Sequence, residues 1–194
     1  MKNKKVLFLT QAALIAALYV VLTELSNLFG LASSMIQVRF SEALTVLPFF
    51  TPAAVPGLFL GCIISNLLVN ANIFDIIFGS LATLLGALGT MGLGKLLCIG
   101  RKTPEENNGT TPKENNSSDG NQKKKKEKPI LLSLLTLPPI LSNTLIIPFV
   151  LKYAYGLEPL WLSFITVGLG EIISCGVFGI VLLFTLRKYG KRIF

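Results

Sequence analysis

The chain has 194 residues, of which 52% are hydrophobic and only 14% charged, and its mean hydropathy is +0.65. A soluble domain of this length would have to bury nearly all of that apolar surface in one small core, so composition alone sets the chain among membrane proteins. The formal net charge of +8 does not mark a nucleic-acid binder, because the basic residues cluster at the edges of apolar runs, where they orient membrane helices.

Met1–Lys5 is basic and leads into the uncharged run Val6–Leu22. That run is longer than a signal-peptide core, and no A-x-A site leading into a soluble domain follows it. It reads as a retained first helix over about 6–29. Ala12 with Ala16, and Ala13 with Ala17, form small-xxx-small spacings that serve either packing within the bundle or docking of another membrane subunit. A loop over 30–39 follows. Residues 40–71 could form one long helix or two shorter ones; Pro48, Pro52 and Pro56 fall in the middle and favour two, at about 40–51 and 53–71. A fourth helix spans about 74–98, its Gly86, Gly89, Gly92 and Gly94 serving close packing. The stretch 101–128 is rich in Asn, Gly, Ser, Pro and Glu and carries the run Lys123–Lys126. It cannot bury apolar surface, so it is predicted to be a disordered, basic cytoplasmic loop beside anionic lipid. Two further helices are expected at about 130–152 and 159–187.

Of the 18 Lys and Arg, 16 lie in three places: Lys2–Lys5, Lys95–Lys128 and Arg187–Arg192. With two crossings in 40–71, all three fall on the cytoplasmic side, as the positive-inside rule requires. With one crossing, the second cluster would face outward. The expected architecture is therefore a single all-α membrane domain: a six-transmembrane-helix bundle with both termini cytoplasmic.

Cofactor chemistry finds little support in the residues. Cys62, Cys98 and Cys175 are far apart, there is no CxxC and no histidine, and no GxxxxGK[ST] phosphate loop is present. No metal, no cofactor and no catalytic residue is expected, and any energy source must come from another subunit.

Charges inside a membrane span are costly, about 2.5–3.5 kcal/mol each at mid-bilayer, so each calls for a reason. Five stand out: Glu24, Arg39, Glu42, Asp75 and Glu171. Counting the helical rise from the basic inner ends puts Glu24 roughly 28 Å, Glu171 roughly 24 Å and Asp75 about 30 Å up. Arg39 and Glu42 flank the outer start of the second helix. Asn66 and Asn143 come out at roughly 20 Å and 22 Å. The charges thus lie in the outer third and the inner half has none, a cup open to the outside above an apolar floor. A channel or an ordinary secondary transporter would place polar groups at the midplane. For Glu24 and Asp75 the cup reading competes with side chains that snorkel to water. Arg39 and Glu42, three apart, could be a helix-start ion pair, and Asn66 and Asn143 could be interhelical hydrogen-bond donors.

The run Gln37-Val-Arg39-Phe-Ser-Glu42-Ala-Leu-Thr-Val-Leu-Pro48-Phe-Phe-Thr-Pro52-Ala-Ala-Val-Pro56-Gly57 resembles the queuosine-precursor transporter QueT family. So do Gly61-Cys-Ile-Ile-Ser-Asn66, the stretch opening at Asp75 with Gly79, Pro138-Pro-Ile-Leu-Ser-Asn143 and Gly168-Leu-Gly-Glu171. The resemblance spans nearly the whole chain apart from 101–128, an insert longer and more basic than the family leads one to expect. It implies a six-helix S component of an energy-coupling factor (ECF) transporter, which binds a micronutrient from outside. Such a subunit associates with a membrane coupling subunit and two ATPases, and the face it docks with maps onto Ala12, Ala13, Ala16 and Ala17. The implied solute is a 7-deazaguanine: preQ0, preQ1 or queuine. On that resemblance Glu171 accepts from the purine edge, Glu42 is held by Arg39 at the mouth, and Asn66, Asn143 and Asp75 complete the site. A second carboxylate could neutralise the aminomethyl cation of preQ1, and loop 30–39 could be a lid. The rival reading is a stand-alone small-solute transporter of another micronutrient. An intramembrane enzyme and a purely structural membrane protein are further alternatives.

Overall fold

The computed structural model describes residues 3–31, 37–97 and 133–189, which build six helices and, among the described residues, no strand. The predicted loop 101–128 lies outside the described residues, as do Cys98 and most of the basic clusters. Loop 30–39 is described only at its two ends.

Helix α1, Lys4–Leu28, starts where the Asn3 side chain accepts from the Lys5 amide at 3.3 Å, satisfying one of the free N–H groups of the first turn. Helix α2 is Phe40–Phe49, α3 is Ala54–Leu68, and α4 is Ile73–Leu96, capped by the Asn72 side chain on the Phe74 amide at 3.1 Å. Helix α5 opens with a 3-10 turn, Leu134–Thr136, and continues as Leu137–Tyr155 to Gly156, whose φ of 67° ends it. Helix α6 is continuous through Leu160–Glu171, a π-helical stretch Ile172–Phe178, and Gly179–Tyr189.

Four of these, α1, α4, α5 and α6, are long and apolar enough to cross a membrane, with spans of 25, 24 and 22 residues and, for α6, 29 residues over Leu160–Lys188. Helices α2 and α3 are shorter apolar segments of 10 and 15 residues. Where the sequence predicts a helix without regard to type, α2 is a 3-10 helix that ends at Phe49 and contains Pro48. Ten residues at a rise of about 2.0 Å give it roughly 20 Å of length.

The three-residue period explains why α2 can be buried on every side. Residues three apart stack, so Leu44 and Leu47 join a cluster with Ile15, Tyr19 and Leu58. Val46 faces a second cluster with Leu135 and Leu183, against which Phe49 packs. Glu42 and Thr45 form the third row, and the Thr45 hydroxyl donates to the Glu42 carbonyl at 2.6 Å. Ser41 through Pro48 are all buried, and α2 touches α1, α3, α4, α6 and the start of α5. It is the axis of the bundle. The outward faces of the other helices carry exposed Leu14, Leu60, Ile77, Leu145 and Val181, the surface expected against lipid.

Helices α1 and α3 approach closely at two glycines. A Cβ on Gly57 would lie 2.7 Å from the Ala12 carbonyl oxygen, and one on Gly61 would lie 2.8 Å from Tyr19 Cβ. Ala12 and Ala16 are therefore buried against α3, 6% and 8% exposed, while Ala13 and Ala17 face outward. The four alanines divide between an inner seam and an outer face. Gly86 and Gly89 of α4 likewise receive Pro139 and Pro138 of α5.

Candidate functional site

Helix α1 carries a hydroxyl row at i, i+4 and i+7. The Tyr19 hydroxyl donates to Glu42 Oε1 at 2.5 Å, Thr23 donates to the Ser41 hydroxyl at 2.9 Å, and Ser26 Oγ accepts from the Phe40 amide at 2.8 Å. Through these contacts α1 seats the first turn of α2 and directs Glu42 into the bundle. The segment before α2 lies across α6: the Arg39 amide donates to Ser174 Oγ at 3.1 Å, and Gly170 has no room for a Cβ because the Gln37 carbonyl rests on it.

Two cavities result, sharing Gln37 and Arg39 as their common wall. The inner chamber is lined by Arg39, Glu42, Gly79, Thr83, Asn143 and Glu171, with Ile147 and Val167 on its apolar side. Its free space is about 10 Å³, room for about one water. The outer vestibule holds about 340 Å³ and is lined by Thr23, Asn27, Arg39, Asn66, Asp75 and Tyr155, among others. Of the six residues that sequence reasoning named, Glu42, Asn143 and Glu171 share the chamber, Asn66 and Asp75 share the vestibule, and Arg39 borders both.

In the chamber, Asn143 Nδ2 donates to Glu171 Oε1 at 3.0 Å, and Cys175 Sγ donates to Glu171 Oε2 at 3.3 Å. Cys175 also contacts the Glu42 carbonyl at 3.4 Å and the Thr45 hydroxyl at 3.5 Å. Glu42 Oε2 has no hydrogen-bond partner although the residue is only 2% exposed. One donor atom each from Glu42, Glu171 and Cys175 lies within 4.8 Å of the others. Two ionised carboxylates that close repel by roughly 3.5 kcal/mol at an effective dielectric constant of about 20, and a positive group between them offsets this.

Arg39 and Glu42 share the chamber but form no ion pair within 4.0 Å; among the described residues such a pair joins Lys152 and Glu158, at 3.4 Å. The expected arrangement of Glu42 held by Arg39 at the mouth is thus not formed as a direct ion pair. Glu42 is held by Tyr19, deep in the bundle, whereas Arg39 precedes α2 with an extended backbone, φ −112° and ψ 111°, and so does not continue the helical row on which Glu42 lies. The Arg39 guanidinium keeps its charge at any ordinary pH.

In the vestibule, the Tyr155 hydroxyl donates to Asp75 Oδ2 at 3.2 Å and Asp75 Oδ1 is buried without a partner. Asn66 Nδ2 donates to the Asp75 carbonyl at 3.4 Å and lies 3.6 Å from Cys62 Sγ. Glu24 lines neither cavity; its Oε1 is buried without a partner.

Sequence reasoning missed Tyr19, Thr83, Ser174 and Cys175. The row Tyr19, Thr23, Ser26, spaced along one face of α1, was a legible signal for the first. The other signal was absent: the π-helical stretch adds a residue per turn at Ile172–Phe178 and turns Ser174 and Cys175 inward, which hydropathy does not mark.

A sequence model of the QueT transporter family matches residues 9–188. The chain is also 37% identical over 97 residues to the queuosine precursor transporter QueT of Lactococcus lactis subsp. cremoris (strain MG1363). That match covers 50% of this chain and 54% of the relative, so it spans about half the length of each. No solved structure matches the chain.

Proposed function

The chain belongs to the QueT transporter family, and from that premise we propose that it is the membrane-embedded, substrate-binding S component of an ATP-driven ECF importer of queuosine precursors. It captures a 7-deazaguanine such as preQ1, preQ0 or queuine at the outer face of the cell membrane, with both termini cytoplasmic and all six helices crossing. ATPase subunits bound through a membrane coupling subunit supply the energy.

The observation that carries this reading is the convergence of Glu42, Asn143 and Glu171, from three different helices, on one buried chamber beside Arg39. Buried carboxylates without ion-pair partners are costly in an apolar bundle, and a ligand with several N–H donors and a positive group repays that cost. The adjacent donors of a guanine-like edge suit the Glu171 carboxylate, with Asn143 fixing its orientation through the 3.0 Å hydrogen bond. Asn66 and Asp75 line the way in from outside.

The chamber has room for one water and the vestibule for far more, so the solute enters the vestibule first. A shift of the Gln37–Arg39 segment then joins the two spaces. Ala13 and Ala17, exposed on α1, provide the docking face for the coupling subunit, and Ala12 and Ala16 beneath them hold α1 rigidly on α3.

Equilibrium binding of preQ1, preQ0 and queuine to the purified protein, with guanine and riboflavin as controls, tests the solute. Selective binding of a deazapurine is expected; folded protein that binds none of the three removes this reading. Uptake by cells with and without the coupling module tests the energy source. Full uptake without the module would favour the stand-alone transporter.

A further inference from the structure

We propose that Tyr155 is the positioning residue of the vestibule: it clips the start of α4 to the end of α5 and, through Asp75, presents one free carboxylate oxygen to the arriving solute. The role in capture rests on the reading above that a 7-deazaguanine enters through the vestibule; the clip itself does not.

A helix start lacks acceptors for its first N–H groups, and a helix end lacks donors for its last carbonyls. At the vestibule α4 begins beside the end of α5, and each supplies what the other lacks. The Asn72 amide donates to the Tyr155 hydroxyl at 3.1 Å, and Asn72 Nδ2 donates to the Ala154 carbonyl at 3.4 Å. Asn72 Oδ1 meanwhile accepts from the Phe74 amide, so one side chain caps α4 and holds α5. Asn70, in the left-handed conformation at φ 53°, brings the chain round from α3 to this contact.

Having accepted from Asn72, the Tyr155 hydroxyl gives its own proton to Asp75 Oδ2 at 3.2 Å. Asp75 is only 6% exposed, and its Oδ1 is buried without a partner. Both residues line the vestibule. A carboxylate held at one oxygen cannot turn about its terminal bond without breaking that hydrogen bond, so Tyr155 decides which oxygen is left free. A buried acceptor without a donor is costly, and an N–H of the solute's purine edge satisfies it. Phenylalanine at 155 keeps the ring, leaves the Asn72 amide without its acceptor, and lets the Asp75 carboxylate turn.

Two measurements on the full-length protein test this. In solute-free protein, Tyr155→Phe should speed amide hydrogen exchange in the α3–α4 turn and the first turn of α4 by about threefold to tenfold, the worth of one hydrogen bond. Tyr153→Phe, at an exposed tyrosine that does not line the vestibule, should not. Unchanged exchange in Tyr155→Phe, or an equal rise in Tyr153→Phe, overturns the clip. For binding, the tightest of preQ1, preQ0 and queuine serves as the probe. Tyr155→Phe and Asp75→Ala should each weaken it by about threefold to tenfold, and the double variant should bind no more weakly than Asp75→Ala alone. Additive losses would give Tyr155 a structural role independent of Asp75 and overturn its positioning role, as would an affinity that Tyr155→Phe leaves unchanged. That single-variant comparison stands even if Asp75→Ala fails to fold. Folded protein that binds none of the three overturns the capture role together with the reading beneath it, and the exchange measurement then judges the clip alone.

Discussion

At the scale of single residues, the site is built from buried polar atoms whose partners lie far away in sequence. Tyr19 and Glu42 are 23 positions apart, and Asn143 and Glu171 are 28 apart. Tyr19→Phe removes the 2.5 Å hydrogen bond to Oε1 of the buried Glu42 carboxylate. A cost of about 1–3 kcal/mol is expected, read as a lower thermal midpoint of the purified protein. Pairing it with Glu42→Gln should recover part of the loss, since the penalty belongs to the stranded charge; no recovery would mean that Tyr19 acts through packing alone. Glu171→Gln keeps the shape of the side chain and its contact with Asn143. On the proposed role it should weaken 7-deazaguanine binding by about tenfold or more, and unchanged affinity in equilibrium binding would remove Glu171 from the purine edge.

Among the elements, α1 has two faces with separate tasks, and substitution can part them. Gly57→Leu places a side chain against the Ala12 backbone, where nothing flexible can give way, and should destabilise the protein by about 1–3 kcal/mol or more. Ala13→Leu lies on the exposed face and should change stability by less than about 0.5 kcal/mol. If Ala13 and Ala17 form the docking face, Ala13→Leu should instead lose the coupling subunit in co-purification; retained association would place docking elsewhere. The π-helical stretch of α6 offers a second test. Deleting Ile173 removes the extra residue, restores α-helical winding and rotates Glu171 relative to the end of the helix. Binding should fall while helix content, followed by circular dichroism, stays the same. Preserved binding would make the π-helical stretch incidental to the site.

For the whole molecule, the proposed orientation rests on the distribution of charge. On the proposed orientation, residues 101–128 are cytoplasmic and the α3–α4 turn lies outside, as the positive-inside rule requires. A cysteine at Ser117, in a background with the native cysteines replaced, should react with an impermeant maleimide only after the membrane is opened. One at Asn70, exposed in that turn, should react in intact cells. The reverse pattern would invert the topology and turn both cavities toward the cytoplasm.

Hydropathy and charge are properties of segments, and segment-level conclusions could be read without any structure. That the chain is an all-helical membrane protein, and that Glu42, Asp75, Asn143 and Glu171 lie toward one end, follows from the cost of charge in lipid and the fixed rise of a helix. The motif around Arg39 and Glu42 pointed to the family for the same reason, as a local string of residues. What a string does not carry is the rotation of each helix about its axis. Only packing decided that α2 is a 3-10 helix buried on every side, that Ala12 and Ala16 turn inward while Ala13 and Ala17 do not, and that Glu42 bonds to Tyr19 instead of Arg39. Each of those depends on which neighbour arrives from a distant part of the chain, so the division of one polar end into a chamber and a vestibule is a property of the tertiary structure alone.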